Sequence, residues 1–79
     1  MSLETEVKSM ILQIADRPDR PDDLPGDTVL SDLGYSTNMA NKLANELQKI
    51  ANNHQTGAVI QPGSITPSST VDECIAATS

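Results

Sequence analysis

The chain has 79 residues, a formal net charge of -6, one Cys, one His, one Tyr as its only aromatic residue, and a hydrophobic fraction of 37 %. That length accommodates one domain, residues 1–79, which buries only about 60 % of the surface its unfolded form exposes. One cysteine excludes an internal disulfide, the acidic balance opposes non-specific binding to nucleic acid or anionic membranes, and no apolar run reaches the ~18 residues of a membrane span.

Residues 2–15 read as an amphipathic helix. Leu3, Val7, Ile11 and Ile14 recur at steps of four, four and three, with Met10 beside them. Ser2 is the expected N-cap, Glu4 and Glu6 suit the positive end of the helix dipole, and Pro18 ends the segment. The first nine residues carry two Glu and no apolar run, so no secretory signal is expected and the protein is expected in the cytoplasm.

Residues 16–35 form a long connection. Its first half holds a tandem Asp-Arg-Pro, and Pro18, Pro21, Pro25 and Gly26 favour extended and turn structure. In its second half Leu24, Val29, Leu30 and Leu33 are spaced to anchor it on a core. A connection of this length in a small domain is uncommon and often functional. With six Asp and two Arg it also carries -4 of the net charge.

Residues 36–53 give the strongest helical pattern, with Met39, Ala40, Leu43, Ala44, Leu47, Ile50 and Ala51 on one stripe. Ser36 or Thr37 supplies the N-cap, and Asn52-Asn53-His54 the end. Residues 54–66 are a second connection punctuated by Gly57, Pro62 and Gly63. Within it Ala58-Val59-Ile60 is compatible with a strand, a turn of helix or an anchored loop. A final short helix is expected over 67–78, where Thr70 and Glu73 have capping-box spacing and Val71, Ile75 and Ala76 form a small apolar face. Helices of about 12 residues are marginal alone, so the three must pack their stripes together. The expected fold is all-α: a small antiparallel bundle of three to four helices with a long first loop.

Little in the chain suits catalysis or metal binding. His54 and Cys74 are too few for a closed zinc site, and the Asp16–Asp27 stretch lacks the ligand pattern of a calcium loop. His54 reads as a dipole complement at a helix C-terminus, and Cys74 as a half-buried packing residue. No enzyme activity is therefore expected. A helix-turn-helix nucleic-acid binder is opposed by the twenty-residue connection and the acidic charge.

The informative stretch is Leu30-Ser31-Asp32-Leu33-Gly34-Tyr35-Ser36-Thr37-Asn38-Met39-Ala40-Asn41-Lys42-Leu43. Two leucines anchor the end of the loop, a glycine permits a sharp turn, and hydroxyl residues open an amphipathic helix. That arrangement sets a hydroxyl beside free backbone N–H groups at a positive dipole end, a natural place for a phosphate ester.

This stretch resembles the phosphopantetheine-attachment region of acyl and peptidyl carrier proteins. That region typically reads Asp/Glu-Leu-Gly-x-Asp/His-Ser-Leu, with an apolar residue, Ala and a Leu following. The order of the first helix, long loop, second helix and final helix follows the family along nearly the whole chain. The departures concern the attachment residue itself. Aligning Leu43 with the family's helix leucine puts Thr37 at the attachment position, Ser36 where Asp or His is usual, and Asn38 where Leu is usual. The family's transferases modify a serine, so chemistry favours Ser36, with Thr37 as the alternative.

The resemblance implies a non-enzymatic carrier on which covalent 4'-phosphopantetheine, supplied from coenzyme A, tethers thioester intermediates of nonribosomal peptide or polyketide biosynthesis. Gly34 and Tyr35 would shape the turn, and Asn38, Met39 and Lys42 would present a docking surface. The implied partners are a phosphopantetheinyl transferase and adenylation, acyltransferase or synthase enzymes, met by a monomeric, discrete carrier. Residues 36–53 sum to +1, from Lys42, Lys49 and Glu46, unlike the acidic second helix of fatty-acid carriers, so the peptidyl type is favoured. The alternative is a carrier-fold interaction module that bears no arm.

Overall fold

The structure, a computed structural model, describes residues 2–79. Ser2 caps the first helix, α1 (Leu3–Ile14), its hydroxyl accepting the Thr5 N–H at 3.2 Å. The apolar stripe then turns inward, and Val7, Ile11 and Leu12 are buried. The second helix, α2 (Thr37–His54), buries Ala40, Leu43, Ala44, Leu47, Ile50 and Ala51, the stripe its sequence spacing marks out. The third, α3 (Val71–Thr78), starts in a complete capping box: Thr70 Oγ1 accepts from the Glu73 N–H at 3.1 Å, and Glu73 Oε1 accepts from the Thr70 N–H at 3.2 Å. Among the described residues these three are the only α-helices, and the small all-helical bundle is the fold expected from sequence.

Long-range contacts fix the directions. Glu6, in the first turn of α1, meets His54 at the end of α2. Ile11, near the other end of α1, holds Tyr35 just ahead of α2. The two helices are therefore antiparallel. Val71 N–H reaches back to the Thr28 carbonyl at 3.0 Å, while Thr56, just past α2, donates its hydroxyl to the Thr78 carbonyl at 2.8 Å. So α3 begins beside the segment leading into α2 and finishes beside the segment leaving it. The radius of gyration of 11.1 Å is close to the roughly 11.6 Å of a folded chain this long.

Three expectations are refined. The final helix begins at Val71 rather than at 67, because residues 67–70 pair elsewhere. The Pro67 and Ser69 carbonyls accept the Ser31 and Leu30 N–H groups at 2.8 and 2.9 Å, and Val29 and Thr70 form an isolated antiparallel bridge. The long connection contains two 3-10 turns, Pro21–Asp23 and Leu30–Leu33, and is pinned by buried Leu24 and Leu30. Ala58-Val59-Ile60 is an anchored loop with no helix in it. The Gln48 side chain donates to the Ala58 carbonyl at 3.0 Å and accepts from the Ile60 N–H at 2.8 Å, while Val59 points outward at 74 % exposure.

α2 ends without glycine. Gln55 adopts the left-handed conformation (φ 55°, ψ 41°), and Thr56 N–H closes on the Ala51 carbonyl at 3.1 Å. A side chain in that region costs roughly 1–2 kcal/mol, partly offset by the unfolded-state entropy a glycine adds. Gln55→Gly is expected to stabilise the domain by about 0.5–1 kcal/mol. In a thermal melt that is a Tm higher by about 2–8 °C.

Cys74 is fully buried in the core rather than half-buried, and burial, reinforced by Glu73, pushes its thiol up to about 12. Because the thiolate is the reactive form, the native protein at pH about 8 is expected to leave a thiol reagent unconsumed until denaturant is added. Stoichiometric labelling of native protein within seconds would contradict this packing.

Candidate functional site

The segment leading into α2 is held from three sides. Leu30 is fully buried, and it and Ser31 are tied to the run-in to α3. Gly34 closes the Leu30–Leu33 turn with φ 86°, a left-handed conformation that favours glycine, and its N–H bonds the Ser31 carbonyl at 3.0 Å. Tyr35 follows with its N–H on the Leu30 carbonyl at 3.2 Å. Its ring turns inward, 5 % exposed, and its hydroxyl donates to the Ile11 carbonyl at 2.6 Å. Burial raises the Tyr35 hydroxyl well above the ordinary phenol range, with Cys74 adding to the effect. Tyr35 therefore clamps the loop to α1 and presents no ring to a docking surface.

Ser36 comes next, as the N-cap of α2, extended (φ -93°, ψ 172°) and exposed. Its Oγ accepts the Met39 N–H at 3.2 Å and its carbonyl accepts the Ala40 N–H at 2.9 Å. A hydroxyl carries one proton and two lone pairs, so after the cap bond the O–H and one lone pair still face solvent. The Thr37 and Asn38 N–H groups have no acceptor among the described residues and open to the same solvent.

The charge environment differs from that of the other helices. α1 has Glu4 and Glu6 in its first turn and α3 has Asp72 and Glu73, whereas α2 has no acidic residue there. The positive end of the longest helix therefore has no carboxylate in its own first turn, beside an exposed hydroxyl.

The other candidate residues divide. Thr37 and Asn38 are exposed in the first turn. Met39 is half-buried and packs on the core. Lys42 is exposed and has no ion-pair partner among the described residues, whereas Lys49 pairs with Glu46 at 3.3 Å. His54 lies in the last turn of α2, as its place in the sequence suggested, and additionally meets the Glu6 carboxylate. Among the described residues no group of three or more His, Cys, Asp or Glu could hold a metal ion, and no helix is long and apolar enough to cross a membrane.

One feature of the site extends beyond the residues 30–43 motif. Asn38, Asn41, Asn45, Gln48 and Asn52 fall at steps of three, four, three and four, an amide stripe along one face of α2. Its middle lines a groove of about 450 Å³ against Ile60, Pro62 and Gly63. The periodicity is present in the sequence, but a polar repeat on a helix carries no packing signal of the kind an apolar stripe does.

No family model matches the chain, and no curated protein or solved structure matches it either.

Proposed function

We propose that this chain is a carrier domain, peptidyl in type rather than fatty-acid, bearing 4'-phosphopantetheine on Ser36. The observation that carries the reading is the exposed Ser36 hydroxyl at the positive end of α2, whose first turn holds no carboxylate, on a loop pinned to both other helical segments. These residues fit the group. The free Thr37 and Asn38 N–H groups suit an anionic phosphodiester, the first turn of α2 has no carboxylate to repel it, and open space surrounds the neighbouring Gly34.

Ser36 is favoured over Thr37 because a cap residue stands outside the helical register. Leu43 and Leu47 keep their buried positions whichever hydroxyl is used, and the Thr37 hydroxyl is secondary and crowded by its methyl.

The protein's part is to position and present. When bound, the arm supplies a terminal thiol that carries acyl or peptidyl groups as thioesters. The Tyr35 clamp and the Leu30 anchor fix where the attachment point sits. Exposed Asn38 and Lys42 offer partner enzymes a surface that is not acidic, consistent with a transferase and with adenylation or synthase partners of the peptidyl type. The test is intact-protein mass spectrometry after incubation with coenzyme A and a broad-specificity phosphopantetheinyl transferase. One added phosphopantetheinyl unit is expected. Failure with several transferases would leave the fold as an unmodified interaction module.

A further inference from the structure

We infer that the seam between α1 and α2 binds a free, single-chain amphiphile with an anionic head group, its head at Lys42 and its tail along Met10. Neither Ser36 nor an arm on it is involved, so this site stands apart from the carrier reading.

Two lobes of about 200 and 320 Å³ lie along the seam, and Met10 and Gln13 line both, so they form one groove. Ile50 belongs to the first lobe, and Ile14 and Lys42 to the second, the order that antiparallel helices impose. Met10 and Ile14 are half-buried against the core and Ile50 is buried, so the floor is apolar. The unbranched thioether of Met10, in the middle, adapts to the shape of an apolar occupant. The charges along this floor are answered unevenly. Glu46 is taken by Lys49 at 3.3 Å and Glu6 meets His54, and neither partner lines the groove. Lys42 lines it without an ion-pair partner among the described residues, and its ammonium carries three donor hydrogens. One unanswered cation therefore stands at the end of an apolar strip.

The shape and the charge select the occupant. The strip is a single file of apolar side chains, with exposed Gln13 and Asn53 at its rims and Lys42 and Glu46 on its α2 side. A docked helix buries an apolar stripe about 100° wide and would press it onto those charged and amide groups, which cost free energy when stripped of water without a partner. An extended alkyl chain covers the strip alone and leaves the rims wet. An anionic head answers Lys42, whereas a cationic head would meet it as a like charge. Lys42 and Ile50 are about 12 Å apart along the α2 axis, the length of about nine or ten carbons of a zigzag chain. The ligand class is thus an alkyl carboxylate, sulfate or phosphate of medium length.

The test titrates the full, unmodified chain with decanoate, and with decyltrimethylammonium as the same tail under the opposite charge. Both are kept below their micelle concentrations at pH about 8, where the carboxyl is ionised. The methyl NMR signals of Met10, Ile14 and Ile50 are followed. Decanoate is expected to shift all three saturably, acetate to leave them in place, and the ammonium to bind at least roughly fivefold more weakly than decanoate. Lys42→Gln is expected to weaken decanoate by roughly fivefold, and Lys42→Arg to keep it within about twofold of wild type. Lys42 is exposed, so both variants are expected to fold, with circular dichroism as the check. Met10→Gln, checked in the same way, is expected to weaken decanoate through the floor instead of the head. Decyl sulfate and decyl phosphate, compared with decanoate, identify the preferred anionic head. Equal binding of anionic and cationic amphiphiles, decanoate binding that ignores Lys42→Gln, or shifts centred on residues 60–63 in place of the three methyls overturn the inference. A protein that takes no arm from any transferase but passes this test keeps the groove and loses the carrier reading. One that takes the arm and fails here loses the groove alone.

Discussion

Ser36→Asn is expected to abolish phosphopantetheine attachment while leaving the melting temperature within a few degrees of wild type. The two effects separate because Ser36 has two physical roles. As N-cap it accepts the Met39 N–H, and an Asn side-chain oxygen does this about as well. As the proposed nucleophile it provides an exposed hydroxyl, which Asn lacks. Ser36→Ala removes both and costs about 1 kcal/mol, small beside the roughly 4–12 kcal/mol expected for 79 residues. A missing arm on either folded variant therefore reports chemistry, not unfolding. Thr37→Ala is expected to keep the arm, because Thr37 is the first helical residue and does not cap α2. Mass spectrometry of the variants after the transferase reaction decides the matter. An arm that persists on Ser36→Asn and vanishes on Thr37→Ala would move the attachment point to Thr37.

The cap of α2 was legible because capping is local: a hydroxyl residue followed by an apolar stripe suffices to place it. The Thr70–Glu73 capping box was legible for the same reason, and it fixed the start of α3 better than the composition of residues 67–69 did. Those three residues are expected from sequence to lie inside the helix, which instead begins at Val71. The Pro67 and Ser69 carbonyls instead serve Ser31 and Leu30, nearly forty positions earlier, and no local pattern encodes that choice. The helix ends were obscured differently. Asp16 and Gln55 take positive φ at positions where a glycine would have announced the stop.

The site shows the same division. Gly34 and Ser36 could be placed from turn and cap chemistry alone. The inward turn of Tyr35 depends on the Ile11 carbonyl, and the Ala58–Ile60 loop is held by a glutamine on the opposite element. The polar face of α2 thus divides the chain's surface into a cap that sequence reveals and an amide groove that exists only once the loop folds over it.

Tyr35→Ala is expected to be the most damaging substitution near the site, costing about 3–4 kcal/mol of a total of roughly 4–12 kcal/mol. It empties the space of the only aromatic ring and releases the loop from α1. Tyr35→Phe keeps the ring and is expected to cost only about 1 kcal/mol, since the Ile11 carbonyl still accepts from the Ala15 N–H at 3.2 Å. The pair of variants also tests an alkaline weakness. Burial raises both the Tyr35 hydroxyl and the Cys74 thiol, the latter from 9.0 to about 12, so the folded state keeps protons that the unfolded state gives up. Stability is then undiminished below pH about 9 and falls as pH climbs through the window where only the unfolded chain titrates, by up to about 1.4 kcal/mol per pH unit for each group. Urea midpoints measured between pH about 7 and about 11 should drop for wild type and drop less steeply for Tyr35→Phe, which has lost one of the two titrating groups. A midpoint that stays level across that range would mean the phenol and the thiol titrate in the folded protein as they do in water, and the clamp that positions Ser36 would not be the buried contact described above.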